Sequence, residues 1–206
     1  MVDAYLRRSP LAHRGLPARA QQDAARRADA GIVLSERPHR CQVNLRGKAA
    51  DPVFLARVLS AIGLNLPTVA NTTTSDGGIT ALWLGPDEWL VVAVAGREAE
   101  LAAGLRQVLA GQHFSVVDLS EARTVLIVTG RRAREVLQKG TPMDLHPRLF
   151  QTGHCAQTAL TKANVILHQT SDDPRYEIYA TISFADYLWN WFERAADEYG
   201  LAVIDV

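Results

Sequence analysis

The sequence predicts an α+β fold built from two duplicated modules. Short apolar segments with strand periodicity alternate with segments in which apolar residues recur at helical spacing. A pattern of strand, glycine, helix and proline-ended loop also occurs twice, with Gly130 corresponding to Gly47 and Pro147 to Pro67, at offsets of 83 and 80 residues. This period exceeds the roughly 20 to 50 residues of solenoid repeats. We therefore expect two similar modules, each a mixed sheet with helices on its face.

The first 31 residues differ from the rest of the chain. Residues 17–31 are rich in Ala, Gln, Arg and Asp and have hardly any large apolar side chain. Such a segment can bury little surface, so we expect residues 1–31 to form an N-terminal arm that is either mobile or an exposed helix. The first α+β module is predicted over 32–121 and the second over 122–206, with the two packed as one body.

The first module begins with strand patterns, an apolar run at 32–34 and an alternation of apolar and polar residues over 41–46. Residues 51–63 predict a helix, because Asp51 stands at the N-cap position, proline follows in the first turn and glycine ends the segment. Residues 64–78 predict a long polar loop.

The rest of the first module and the second module follow the same logic. Residues 79–96 predict a hairpin turning at Gly-Pro-Asp, and a helix is expected from about Glu98 to Leu109. Two strands follow around Ser120 and Glu121. The second module then repeats the series, ending in a strand "YEIYATI" and a helix "SFADYLWNWFERAADEYG".

The composition is that of a near-neutral globular protein. The 206 residues include 22 Lys plus Arg and 22 Asp plus Glu, which argues against nucleic acid or an anionic membrane as the main partner. No apolar run approaches the roughly 20 residues that span a bilayer, and the start of the chain is not a secretory signal. Two cysteines this far apart, Cys41 and Cys155, are typical of reduced, buried thiols, so we expect a cytoplasmic protein.

The segment "GHCAQTALTKANVILHQ" (153–169) contains several residue types that enzymes use. On a strand, however, His154 and Cys155 point to opposite faces and cannot form a nucleophile and base pair. A thiol paired with His146 or His168 through the fold is the remaining alternative. No histidines have the close spacing of zinc motifs. We therefore predict no catalytic, cofactor-binding or metal-binding residue in this chain.

Two segments are candidate contacts with other proteins. The aromatic helix "YLWNWF" is apolar over more than one face, which fits burial inside the chain, between modules or against a partner. The N-terminal "YLRRSPLAHRG" is the second candidate. The predicted partner contacts are Tyr5, Arg7, Arg8, Leu11, Trp189 and Trp191.

Long stretches of the chain resemble one family. "ALWLGPDEWLVV", "VDLSEARTVLIVTGRRAREVLQKGTPMDLHP", "CAQTALTKANVILH" and "SFADYLWNWFERAADEYG", with "RRSPLAH" near the start, are similar to the gamma subunits of heterotetrameric sarcosine oxidases. The resemblance covers nearly the whole chain except the arm around 17–31. It implies the folate-binding architecture of the aminomethyltransferases and of tRNA-modifying GTPases, which is a duplicated α+β fold.

The resemblance also implies a function. The family's complex oxidatively demethylates sarcosine to glycine, passes electrons through flavins to oxygen to give hydrogen peroxide, and transfers the one-carbon unit to tetrahydrofolate. The partners it implies are the alpha, beta and delta subunits. The cofactors FAD, FMN, NAD, tetrahydrofolate and zinc would belong to those partners, with none in this chain.

One departure from the aminomethyltransferases bears on the folate site. Their hairpin after a Gly-Gly carries acidic residues that serve folate chemistry, and the similar hairpin here has Thr80 and Ala81 at those positions. The resemblance therefore implies that the base for the folate nitrogen proton is missing.

The leading hypothesis is a non-catalytic structural subunit of a sarcosine oxidase complex. A stand-alone folate-binding protein for one-carbon transfer is the main alternative. A dinucleotide-binding module is a third possibility, although "VTGRRAREVL" has only one glycine of the usual fingerprint.

Overall fold

The computed structural model of the chain describes residues 6–206. The α-helices of this part are α1 Leu16–Asp23, α2 Pro52–Ile62, α3 Glu98–Val108, α4 Ala133–Gln138 and α5 Ala185–Ala195. The strands are β1 Ile32–Arg37, β2 Cys41–Arg46, β3 Thr73–Asp76, β4 Ile79–Gly85, β5 Glu88–Ala93, β6 Ser115–Asp118, β7 Arg123–Thr129, β8 Cys155–Leu160, β9 Ala163–Ser171, β10 Arg175–Thr181 and β11 Leu201–Val203. The mixed α+β class predicted from the sequence is confirmed.

The chain divides into two compact units. We call Arg40–Glu121 with Gly153–Ala156 the middle unit. The terminal unit contains the described residues through His39, together with Ala122–Thr152 and Gln157–Val206. Each unit has its own sheet, and each is described separately.

The middle unit has a five-stranded antiparallel sheet in the order β3-β4-β5-β2-β6. Apolar side chains from one face of this sheet pack with those of α2 and α3, and Phe54 stacks on Trp89 with ring centroids 5.9 Å apart. Trp89 is fully buried, and its indole N–H donates to the Pro67 carbonyl at 2.8 Å, so the ring brings no unsatisfied polar group into the core.

The local sequence explains where α2 begins and ends. The Asp51 side chain accepts a hydrogen bond from the Val53 N–H at 2.9 Å, and Pro52 occupies the first turn, where no N–H partner is needed. At the other end Gly63 adopts a φ of 71°, which lets its N–H reach the Leu59 carbonyl at 2.8 Å. The predicted helix over 51–63 is confirmed.

The terminal unit has a six-stranded sheet in the order β11-β1-β7-β10-β9-β8. β1 runs antiparallel to β7 and parallel to β11, while β10 is antiparallel to both β7 and β9. The helix α5 buries Leu188, Trp189 and Phe192, which lie on one face because they recur at helical spacing.

The N-terminal part of the chain folds within the terminal unit. Residues predicted as a mobile arm or an exposed helix form α1, whose Leu16 and Asp23 are buried. The Asp23 carboxylate accepts the Val203 N–H at 2.9 Å and so joins α1 to β11. The helix is otherwise polar, and these two buried residues hold it against the rest of the terminal unit.

The boundary predicted at residue 32 differs from the observed division. β1 pairs with β7 and β11 and therefore belongs to the sheet of the terminal unit. Strand pairing between segments distant in sequence is not visible in local periodicity, which is why the consecutive modules 32–121 and 122–206 do not coincide with the two units. Packing as one body stays a prediction.

Two strands were not predicted. β3 lies in the segment expected to be a polar loop, and β11 is only three residues long. The first is an edge strand without buried side chains, so it lacks the apolar alternation by which a strand is recognised.

Candidate functional site

The two cysteines are buried thiols. The Cys155 Sγ lies 3.4 Å from the carbonyl oxygens of both Thr72 and Trp83, either of which can accept its one S–H proton, and burial raises the pKa of the thiol to about 12. Burial, together with the nearby Glu98 carboxylate, raises the pKa of the Cys41 thiol to about 11. A thiol is nucleophilic only as thiolate, so neither residue is poised for covalent catalysis.

The geometry of the extended segment does not allow His154 to act as a base for the Cys155 thiol. The two residues are neighbours on an extended segment, and His154 forms an isolated bridge with Thr72 in the middle unit. Both alternative partners, His146 and His168, belong to the terminal unit, with His168 on β9.

His168 takes part in a buried polar group that sequence reasoning missed. It faces Glu177 across the β9–β10 pair, with Nδ1 and Oε2 4.0 Å apart. The Glu177 carboxylate also accepts the Tyr179 hydroxyl at 2.7 Å and Arg37 Nη1 at 3.3 Å. Burial lowers the pKa of His168, against the opposing influence of the Glu177 charge, so the ring is neutral at pH 7.

The hairpin that resembles the folate-binding hairpin carries no acid at the two expected positions. Ala81 is fully buried in the core of the middle unit, and the Thr80 hydroxyl lies 3.0 Å from the Ser75 hydroxyl in a hydrogen bond across β3 and β4. Neither side chain can act as a base at neutral pH.

Within residues 6–206, no three His, Cys, Asp or Glu side chains are grouped so that they could hold a metal ion. The same part of the chain contains no helix that is long and apolar enough to cross a membrane.

The predicted partner contacts have different positions in the structure. Tyr5 lies outside the described residues, Arg7 is half-buried and Arg8 is exposed. Leu11 and Trp189 are both 0 % exposed inside the terminal unit, so assigning them to a partner surface was wrong. The apolar residues of the aromatic helix pack inside the terminal unit, which is one of the alternatives that its sequence leaves open.

The remaining tryptophan of this helix is half-buried. The Trp191 ring meets Phe192 edge to face with centroids 4.9 Å apart. It also covers Gly140 so closely that a Cβ built on that glycine would lie 2.6 Å from the ring. Trp191 is therefore mainly a packing residue of the terminal unit, with part of its ring accessible.

The N-terminal segment is held on α5 by ionic contacts. Asp186 Oδ1 accepts Arg14 Nε and lies beside His13 Nε2, each at 2.8 Å, while Arg14 Nη2 donates to Asn190 Oδ1 at 2.8 Å. Arg19 pairs with Glu193 one turn further on. The hydrogen bond from Arg14 holds the pKa of Asp186 below its usual value, so this carboxylate is charged when it holds the segment.

A small apolar surface remains exposed where β10 leads into α5. We define the apolar patch as Ile182, Phe184 and Tyr187, whose exposed fractions are 44, 38 and 37 %. The Phe184 and Tyr187 rings lie edge to face with centroids 6.3 Å apart. This exposed surface was not predicted, because periodicity alone does not distinguish an exposed apolar side chain from the buried face of a helix.

A polar cavity of about 410 Å³ lies on the sheet of the terminal unit, among residues of β7, β8, β9 and β10. Its lining residues Thr181 and Arg123 pair across β10 and β7. We call it the Arg123 cavity. Its lining residues are Arg123, Gln157, Thr158, Ala159, Asn164, Val165, Ile166, Tyr179 and Thr181.

Comparison with solved structures defines the fold class. A glycine cleavage system aminomethyltransferase T from Bartonella henselae superposes with a TM-score of 0.61, over 92 % of this chain and 50 % of that chain, at 17 % identity. At such low identity the match shows the fold alone. The chain therefore shares its fold with about half of that protein.

Sequence comparison defines the family. The sequence model of the "Sarcosine oxidase, gamma subunit family" matches residues 46–198. A sarcosine oxidase subunit gamma from Corynebacterium sp. (strain U-96) is 33 % identical over 206 residues, 99 % of this chain and 97 % of that protein. A chain of the heterotetrameric sarcosine oxidase from Corynebacterium sp. U-96 superposes with a TM-score of 0.81 at 32 % identity, covering 97 % of this chain and 100 % of that chain. The chain belongs to the sarcosine oxidase gamma subunit family.

Proposed function

We propose that this chain is a non-catalytic structural subunit of a cytoplasmic, heterotetrameric sarcosine oxidase. The complex would oxidatively demethylate sarcosine to glycine with O₂ and tetrahydrofolate, giving H₂O₂ and methylenetetrahydrofolate. The observation that carries the proposal is the match to a chain from such a heterotetramer over its full length. The partners would be alpha, beta and delta subunits, which would hold FAD, FMN, NAD, tetrahydrofolate and zinc.

The chemistry of this chain's own residues supports a non-catalytic role. The pKa values of both thiols are raised to about 11 and 12 by burial, so the residue type best suited to covalent catalysis is protonated. Buried His168 is neutral beside Glu177, where Tyr179 and Arg37 already bond the carboxylate. The alternative of a stand-alone folate-binding protein is not favoured, because Thr80 and Ala81 offer no base.

We further propose that the two units are copies of one ancestral module. The middle unit contains the series β2-α2-β3-β4-β5-α3, and the series β7-α4-β8-β9-β10-α5 follows it in the chain. The sheet orders β3-β4-β5-β2 and β8-β9-β10-β7 also correspond. In this correspondence β6 beside β2 matches β1 beside β7, and both pairs are antiparallel.

Cofactor binding by the isolated chain tests the proposed division of labour. The purified chain should be colourless and should give no heat of binding with FAD, FMN or tetrahydrofolate in calorimetry. A complex produced without this chain should lose stability while its remaining subunits keep their flavins. Saturable tetrahydrofolate binding by the isolated chain would contradict the proposal and favour one-carbon transfer.

A further inference from the structure

A second cavity of the terminal unit, of about 540 Å³, lies among residues of α4, of the segment before β8, and of β9 with the turn that follows it. We call it the Arg134 cavity. We propose that it binds a zwitterionic α-amino acid, with the ligand carboxylate on Arg134 and the ligand ammonium between Gln169 and Asp172. The residues that carry the argument are Arg134, Pro147, Phe150, Thr152, Gln169 and Asp172.

Arg134 has hydrogen-bonding capacity that the protein does not use. It is half-buried at the start of α4, and its Nε–H is buried without an acceptor among residues 6–206. Burial raises the pKa of the Tyr176 hydroxyl, and the neighbouring Arg134 guanidinium opposes that rise. One hydroxyl can satisfy only part of a fork with five N–H donors. A buried donor without an acceptor costs free energy, so Arg134 is suited to bind a carboxylate from outside the chain.

Gln169 supplies a complementary group on the same cavity. It is 2 % exposed, and its Nε2 donates to the Ser171 carbonyl at 3.2 Å, which identifies the other end of the amide as the oxygen. This Oε1 is buried and receives no hydrogen bond within the described part of the chain. A carboxylate alone offers no proton to this oxygen, so the ligand must also carry an N–H or O–H group.

Asp172 favours an ammonium as that second group. It lies in the turn between β9 and β10, where its Oδ1 accepts the Thr152 hydroxyl at 2.6 Å, and a carboxylate can accept further hydrogen bonds. Arg134 and Asp172 are the two lining residues with a formal charge, and their signs are opposite. One cation and one anion on a cavity of zero net charge are complementary to a zwitterion.

The size of the cavity indicates an amino acid with a side chain. Its volume falls within the roughly 300–1,000 Å³ of small-molecule sites, and Pro147 and Phe150 provide apolar surface beside the polar groups. Arg134 Nε and Gln169 Oε1 are both shielded from solvent, so binding requires these two side chains to rotate towards the ligand. That rotation gives the proposal a direct spectroscopic readout.

An NMR titration of the isotope-labelled full chain with L-leucine tests the proposal. The side-chain N–H resonances of Gln169 and Arg134 should shift and saturate. Arg134→Gln should weaken binding by roughly 10- to 100-fold, because it removes a charge-assisted hydrogen bond. Arg27→Gln changes an exposed arginine outside the cavity and should bind as the wild type does. A native-like spectrum of Arg134→Gln shows that lost folding is not the cause.

Two analogues of leucine test the zwitterion. The hydroxy acid that carries a hydroxyl in place of the ammonium, and isopentylamine, which lacks the carboxylate, should both bind more weakly than leucine. Asp172→Asn should weaken leucine binding by roughly 2- to 5-fold without weakening binding of the hydroxy acid. Three results would overturn the inference: no saturable shift up to the solubility limit of leucine, equal affinity for the hydroxy acid, or unchanged binding by Arg134→Gln.

The inference goes beyond the proposed function, and the two fail separately. A chain that assembles with flavin-bearing subunits but does not bind leucine contradicts only the amino-acid site. A chain that binds leucine through Arg134 but never co-purifies with other subunits contradicts only the proposed function.

Discussion

Removing the Asp23 carboxylate should destabilise the terminal unit. Asp23 is 1 % exposed, and it accepts the Val203 N–H at 2.9 Å and Arg26 Nε at 3.0 Å. In Asp23→Ala the buried N–H keeps no acceptor, which costs about 1–3 kcal/mol. The ion pair with exposed Arg26 adds only about 0.2–1 kcal/mol because solvent screens it. The free energy of unfolding should therefore fall by about 1–4 kcal/mol.

The effect should depend on pH. Burial acts to raise the pKa of Asp23, but the hydrogen bonds from Arg26 and Val203 and the charges of Arg26 and Arg19 together lower it below 3.8. A carboxyl whose pKa is lowered on folding stabilises the fold fully above its unfolded pKa and loses this contribution as pH falls. The stability difference between wild type and Asp23→Asn should therefore be complete at pH 7 and shrink below about pH 4.

Denaturant unfolding and hydrogen exchange measure this prediction. Asp23→Ala should lower the denaturation midpoint and speed exchange of the Val203 amide. Asp29→Ala, at an exposed aspartate in the same segment, should change stability by less than about 0.5 kcal/mol. Equal stabilities of the two variants, with a slow Val203 amide in both, would refute the assigned role of Asp23.

Two further predictions concern the middle unit. With a pKa of about 12, the Cys155 thiol should resist iodoacetamide at pH 8 until the chain unfolds, and stoichiometric labelling of the native protein within minutes would contradict its burial. A Cβ on Gly47 would lie 2.2 Å from the Phe54 ring, so Gly47→Ala should cost about 1–3 kcal/mol in thermal unfolding. Gly104→Ala meets no atom within 4 Å inside α3 and should stabilise by about 0.5–1 kcal/mol, and equal unfolding temperatures of the two variants would be evidence against the packing.

The sequence predicted correctly those helix ends and turns that are determined by residues within the same short segment. The cap residues Asp51 and Gly63 delimit α2, and the Gly-Pro-Asp turn separates β4 from β5, as expected. The pairing of β1 with β7 could not be predicted, because it joins segments about 90 residues apart and leaves no trace in periodicity. The same limit applies to β11.

The candidate site was predictable only in part. The prediction that His154 and Cys155 form no catalytic pair rests on strand alternation, which separates the two side chains before any fold is known, and it stays a prediction. Trp189 was assigned to a partner because an amphipathic pattern indicates that a face is covered, but not by what. The Arg123 cavity depends on register between strands, so its lining residues share no sequence motif.

The mass of the assembly that contains this chain tests the central claim most directly. Native mass spectrometry of the tagged chain, purified from the cell that produces it, should show a complex of four different polypeptides in a fixed ratio with flavin bound to the others. Recovery of the chain alone, or as a complex without flavin-bearing polypeptides, would contradict the account.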